Sequence, residues 1–464
     1  MIRRPAVEGR FYPSDKNELV NFLSSSIKDS FPKSRIILAP HAGYVYSGNT
    51  AAKTFSYVEK DFETAVIIGT SHTSYSRKCL ILKDTIYSNV LGEVKTDDEL
   101  AESLLKDKYF ENNPDAHRSE HSIEVQIPFL QYIKNDFKIL PIVVNFEDEK
   151  MLIESGKKIA ELMKKKKLVI VISTDLSHYP PYEYAYVSDN AISFAYSASV
   201  INRDISYFTL AKKLISEKYK KQIDTIACGF APMVVGLSAA IESGYNNFDI
   251  IECVNSGDIS GHRDEVVGYL GGVFLKDGEK EFRFNFDDNE KEYLIMLSRK
   301  AIETKLRSKK SFSVDYFQYP KINLPCAIFV TLTINKELRG CIGSLFPHML
   351  VGDAVIDYSI KSAFDDPRFP PLSLEEFKKI KVEISLLSPL KRIYDVSEIK
   401  ENIHGVYVKN GFMSGTYLPQ VWEHFIKKED FLKSLLDEKS GIGYEKLNSP
   451  ETEIYIYTVE KINE

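Results

Sequence analysis

Short apolar runs of strand length recur along the first part of the chain, and several of them stop at a histidine. Residues 36–38 read as a buried strand that ends at Pro40 and delivers His41 into a glycine-containing loop. Residues 66–68 form a second such strand, with residues 69–71 as the turn before His72. A third, residues 168–172, ends in STDLSHY and sets Asp175 and His178 at the same kind of position. Helical periods lie between the strands: residues 19–27, a segment through Leu105 opened by a Thr96/Glu99 capping box, and residues 149–163. Further strands are expected at 139–144, 249–254 and 266–274, and further helices at 189–201, 205–215 and 234–240. This alternation predicts an α/β fold with a mostly parallel sheet flanked by helices.

The pattern changes after KDGEKE, a short polar break at residues 276–281. Leu294, Leu297 and Ala301 mark one helix face, and residues 327–334 read as a strand that turns at Asn335 and Lys336 into LRGCIGSL. Asn410 followed by Gly411 between apolar flanks signals a hairpin. Strands and helices mix here, which predicts a smaller α+β domain. The expected organisation is a first domain over 1–275, a linker over 276–282 and a second domain over 283–464.

The strand ends carry the chemistry. In open α/β sheets, ligands bind beyond the carboxyl ends of the strands, the side that His41, His72, Asp175 and His178 face. Neutral imidazoles ligate zinc, copper and iron, commonly two of them with a carboxylate or thiolate. One such histidine would pass for a turn residue; three strand ends of this kind make the pattern. The segment HRSEHSIEVQIPFLQYIK has a helical apolar face, with Pro128 as the expected kink. Near its start His121 and Glu124 read as acid–base partners or as a structural pair. Cys228 stands just before an apolar helix, where a thiolate is stabilised, or packs as a small hydrophobe. Arg10 reads as a tie between the chain start and the sheet, and Asp258 and His262 as turn residues. In the second half, Arg339 would lower the pKa of Cys341, or the cysteine is buried in a hairpin between Gly340 and Gly343. Asp365, Asp366 and Arg368 read as a loop held by ion pairs.

Composition narrows the function classes. A net charge of −6 argues against a general nucleic-acid surface. No apolar run reaches the roughly 18 residues of a membrane span, and the start lacks a signal-peptide core. The five cysteines are an odd, scattered set without a CxxC pair, which suits a reducing cytosol. A cytoplasmic protein is expected, with neither nucleic acid nor membrane as partner.

AVEGRFYP, APHAGYVYSG, GTSHTS, EHSIEVQ, STDLSHY and ACG, in this order, resemble the Memo family, whose fold is similar to class III extradiol ring-cleavage dioxygenases. The resemblance implies a mononuclear metal site ligated by His41, His72 and Cys228, with His121, Asp175 and His178 as catalytic residues in the same pocket. The dioxygenases have a carboxylate where this chain has Cys228, which weighs against ring cleavage and toward an iron or copper ion. LRGCIGSL, SAFDDPRFPPLS, EISLLSPL and TYLPQV resemble the AMMECR-type domain, which brings no settled reaction. Proteins similar to the two halves occur together in the so-called AmmeMemoRadiSam group, which implies a radical SAM protein as partner. The expected function is a metal-dependent redox or oxygenase-like protein with an unnamed small-molecule substrate. His178 would act as general acid or base and Asp175 would orient it. The alternatives are a non-catalytic scaffold that binds partners and a metal hydrolase.

Overall fold

The computed structural model describes every residue except 279, 309–311 and 313, so Glu279 of the expected linker lies outside the described residues. Two compact units emerge: Met1–Val200 with Ile215–Lys280, and Ile201–Leu214 with Glu281–Glu464.

The first unit is built on a nine-stranded sheet, beside a small three-stranded one: β1 (Ile36–Ala39), β2 (Thr64–Thr70), β3 (Cys79–Ile81), β4 (Phe110–Asn112), β5 (Lys138–Val144), β6 (Leu168–Ser173), β7 (Asp175–His178), β8 (Asn247–Asn255) and β9 (Val267–Leu275) make up the large sheet. They run in the order β7-β9-β1-β6-β2-β5-β3-β4, with β8 also paired to β9. The centre is parallel, β1 to β6 to β2 to β5, as the alternating pattern predicts. β7, β8 and β9 pair antiparallel at one end, and β3 runs antiparallel to β5 at the other. β1, β2 and β6 are buried at every position, which their unbroken apolar runs anticipate for strands covered on both faces. In the register, Ala39 lies opposite Ser173 and Ile68 opposite Ile172, so these three strands end at nearly the same level.

Helix Glu149–Met163 has the bounds its period predicts. Helix Asp98–Leu105 ends where expected but is capped by Asp97, whose carboxylate accepts the Leu100 N–H; the Thr96 hydroxyl is engaged with Asp98 instead. The segment expected as one kinked helix breaks into His121–Glu124 and Ile127–Ile133. Pro128 sits in the first turn of the latter, where a missing N–H costs nothing.

A buried ion pair fastens the start of the chain. Arg3 Nη1 lies 2.5 Å from Glu124 Oε2, and the guanidinium also donates to the carbonyls of His117 and Glu120. Glu124 further accepts the N–H groups of Ala6 and Val7 and the Tyr12 hydroxyl. The tie expected of Arg10 is therefore made by Arg3, and Glu124 is committed to it.

In the second unit, one four-stranded antiparallel sheet comprises Glu337–Leu350, Pro325–Ile334, Lys381–Leu387 and Val459–Asn463, and a second comprises Lys391–Ile393, Glu453–Tyr457, Gly405–Asn410 and Met413–Tyr417. Helices Asp288–Leu306 and Val351–Phe364 pack on each other, and the latter packs on the first sheet, giving the α+β arrangement expected. Both predicted turns form. Asn335 and Lys336 take φ of 56° and 71° between the paired Ile334 and Glu337, the mirror-image turn that suits a hairpin's twist. Gly411 takes φ 58° between the paired Asn410 and Met413.

The Arg3–Glu124 pair yields a test. Glu124→Gln leaves a buried guanidinium without its counter-charge and should destabilise the first unit by about 3–5 kcal/mol in urea unfolding. A loss under about 1 kcal/mol, the range of a surface pair, would contradict the structural role.

Candidate metal centre

Three strand ends at one level deliver three side chains to one place. His41, His72 and Asp175 each stand two residues beyond the last residue of β1, β2 and β6. The His41 ring is fully buried; its backbone N–H donates to Asp175 Oδ1 (2.8 Å), and its Nδ1 faces Ser173 Oγ at 3.0 Å. His72 is clasped by Glu120, with its backbone N–H 2.7 Å from Oε2 and its Nδ1 2.9 Å from Oε1. Glu120 is the N-cap of helix His121–Glu124 and also accepts the Ser122 N–H, which brings His121 alongside. The His72 and His121 rings stack with centroids 4.4 Å apart, and His41 stands edge-on to both at 5.3 and 5.4 Å. Phe11 closes the far side of His121 at 4.9 Å. One nitrogen from each imidazole lies within 4.8 Å of the other two. Bonds of about 2.0–2.1 Å to a single ion place its donors at most about 4.2 Å apart, so the three nitrogens stand within reach of a common ion with a small inward adjustment.

Cys228 stands beside this cluster, its Sγ 3.2 Å from His41 Nε2 and 3.4 Å from the Asp175 N–H. It precedes Gly229, the N-cap of helix Phe230–Glu242. Burial pushes the thiol up, and the charge of Asp175 adds to it, so the helix start does not make Cys228 a thiolate in the metal-free protein.

β7 begins at Asp175 and adds one more polar group, His178. A regular strand would point residues three apart to opposite faces, but the pairing with β9 shifts between Asp175 and His178, and both line one cavity. Ser177, inside that irregularity, donates through N–H and hydroxyl to the buried Asp189 at 3.2 and 3.0 Å. The carboxylate of Asp175 binds the amides of His41 and Ala42; among the described hydrogen bonds none joins it to His178.

The cavity is about 640 Å³. The three histidines, Asp175 and His178 line it together with Phe11, Tyr46, Tyr179 and Tyr269, and Arg10, His262 and Glu265 add charged or polar groups. Arg10, read as a tie, and His262, read as a turn residue, thus both face the cavity. Asp258 does serve the turn, closing a capping box with Asn255. Sequence reasoning missed Glu120, Ser173 and Asp189. Only Glu120 left a trace, as a carboxylate next to His121 at a helix start.

Burial sets the protonation states. It holds His41 well below the usual histidine range, with His121 and His72 adding like-charge repulsion, and it lowers His178. His121 is brought down to about 4 by burial and by His72. Burial alone would raise Glu120, but hydrogen bonds from His72 and Ser122 hold it well below the usual carboxylate range. Asp175 is pushed up to about 7 by burial, against the amides of His41 and Ala42. Burial leaves His41, His121 and His178 neutral near pH 7, the form in which an imidazole binds a metal.

In the second unit, Arg339 and Cys341 have separate partners. Arg339 pairs with Glu376 at 2.8 Å and donates to the Pro370 carbonyl. Asp366 accepts the Cys341 N–H and pairs with Arg368, which donates back to the Cys341 carbonyl. The expected ion-paired loop thereby covers the edge of strand Glu337–Leu350.

Comparison with known proteins places the first unit. The model of the family described as Memo-like protein matches residues 3–273, more than half of the chain. The chain belongs to the Memo family. The AMMECR1 family model matches residues 295–462. A MEMO1 family protein of Aquifex aeolicus is 38% identical over 279 residues, covering 59% of this chain and 99% of the relative. One of Methanococcoides burtonii is 38% identical over 274 residues, covering 58% and 98%. The crystal structure of the uncharacterized protein PH0010 from Pyrococcus horikoshii is 34% identical, covers 38% of this chain and 92% of its own, and superposes with a TM-score of 0.34. In this Memo-family chain the quoted histidine motifs are the segments that meet at the cavity floor.

The buried histidines should make stability depend on pH. His117, hydrogen-bonded to the Leu80 carbonyl under Arg3, is brought down to about 4 by burial, like His121. The unfolded chain takes up these protons first, near pH 6.5, so stability present above that pH is lost between about 6.5 and 4. Asp175 and Asp189, both raised to about 7 by burial, act oppositely: their stabilisation is full below about 4 and is lost as pH rises to about 7. His117→Gln should therefore flatten the acid limb of the urea-unfolding free energy by up to about 1.4 kcal/mol per pH unit. Identical slopes in both proteins would contradict the burial argument.

Proposed function

We propose that the first unit holds one redox-active ion, iron or copper, on His41, His72 and His121, and acts as an oxygenase-like or related redox enzyme on a small molecule in the cavity. The convergence of three imidazoles on one side of an accessible cavity carries this reading. Such donors suit iron, copper and zinc, so the residues fit the group. Cys228 beside His41 is the candidate fourth donor, since binding releases the proton of a coordinating thiol. When bound, the ion supplies Lewis acidity and electron transfer.

The surrounding residues supply the rest. His178, neutral and facing the cavity, is placed as a general base. Asp175, near 7, holds or releases a proton beside His41. Arg10 offers a cation to an acidic group of the substrate, and a cavity of about 640 Å³ suits a small molecule. The pairing with an AMMECR1 unit supports a shared process, in which a radical SAM protein is the proposed partner. Five free cysteines, and the lack of any described helix long and apolar enough to cross a membrane, support a cytoplasmic setting.

Metal analysis of protein purified without added metal tests the reading. The wild-type chain should carry iron or copper, and His72→Ala and His121→Ala should lose most of it; Cys228→Ser shows whether the thiol is needed. Equal content in all four proteins would sink the proposal. Dioxygen uptake with a panel of catechols and indoles should follow metal content; a loaded protein that consumes none but hydrolyses esters would be a metal hydrolase.

A further inference from the structure

The protons and lone pairs at Ser173 fix which nitrogen of His41 is unprotonated. The Ser173 hydroxyl has one proton and two lone pairs. Its proton goes to the Ser122 carbonyl at 2.6 Å, a group that only accepts. Gln126 Nε2, directed by the Pro40 carbonyl at 3.0 Å, donates to Ser173 Oγ at 2.9 Å. The oxygen therefore meets His41 Nδ1 with a lone pair, so Nδ1 carries the proton and Nε2 faces the Cys228 thiol with its lone pair.

Glu120 makes the same choice for His72. Each of its oxygens already accepts a backbone N–H, Oε2 from His72 and Oε1 from Ser122. A carboxylate held this way accepts from the His72 ring as well, at 2.9 Å from Nδ1. Loop and ring of one histidine are fixed by one side chain. Among the described residues His121 has no such partner: its Nδ1 is 3.6 Å from Glu120 Oε1, beyond a hydrogen bond.

We propose that Glu120 is a positioning residue that holds His72 as the Nδ1–H tautomer, so that His72 and His41 present paired Nε2 lone pairs while His121 is the exchangeable third donor. Its purpose rests on the metal reading, but the tautomers exist without an ion. A carboxylate behind a ligating histidine orients the ring and raises its basicity, and removing it typically costs about 10–100-fold in metal affinity.

The test uses the full chain, metal-free and labelled with ¹⁵N-histidine. Long-range ¹H–¹⁵N correlation near pH 7 should show His41 and His72 protonated at Nδ1, the two signals being assigned by their loss in His41→Gln and His72→Gln. Glu120→Gln should shift His72 toward a mixture of tautomers and weaken zinc binding, zinc serving as a redox-silent probe, by about 10–100-fold. A wild-type His72 protonated at Nε2 overturns the proposal even if the variant fails to fold. So does a folded Glu120→Gln with unchanged tautomer and zinc affinity. Wild-type protein with the stated tautomers and no zinc binding upholds the assignment and overturns the metal reading.

Discussion

The parallel register of β1, β6 and β2 is the constraint on which the site depends. Ala39 opposite Ser173, and Ile68 opposite Ile172, put three strand ends side by side, and a polar residue follows each at the same offset. A one-residue slip in any strand would reverse its side chains and scatter the cluster. The close packing beneath the site protects that register. A Cβ on Gly69 would run into Ser122, so the glycine in β2 is what lets the short His121 helix lie against the strand and bring Glu120 to His72.

The same enclosure governs the electrostatics. Burial makes a charge on His41 or His121 costly and the neighbouring rings add repulsion, so these two stay neutral and their lone pairs stay available. Glu120, the carboxylate in contact with His72, accepts three hydrogen bonds, two of them at Oε1. Burial works the other way on Cys228, keeping its proton until something replaces it.

What the sequence made legible was periodic or local. The apolar runs located the central strands, the helix at Glu149–Met163 matched its period, and turns formed at Asn335-Lys336 and after Asn410, where Asn335 and Gly411 take the positive φ their types tolerate and Lys336 takes it against its preference. Misreadings came where partners are distant in sequence. Glu124 is three residues from His121, yet Arg3, Ala6, Val7 and Tyr12 claim it, while Glu120, adjacent to His121, serves His72. Nothing near residues 3 and 10 says which arginine is buried. Cys228 sits by a helix start, as local pattern suggested, but the enclosure that raises its pKa is a property of the fold.

Crystals of the full chain, measured across the iron and copper absorption edges, test the central claim most directly. The account predicts one anomalous peak among the Nε2 atoms of His41 and His72 and the ring of His121, at about 2.0–2.2 Å from the ligating nitrogens. A peak in the second unit, or strong diffraction from metal-supplemented crystals with no peak at these histidines, would contradict it.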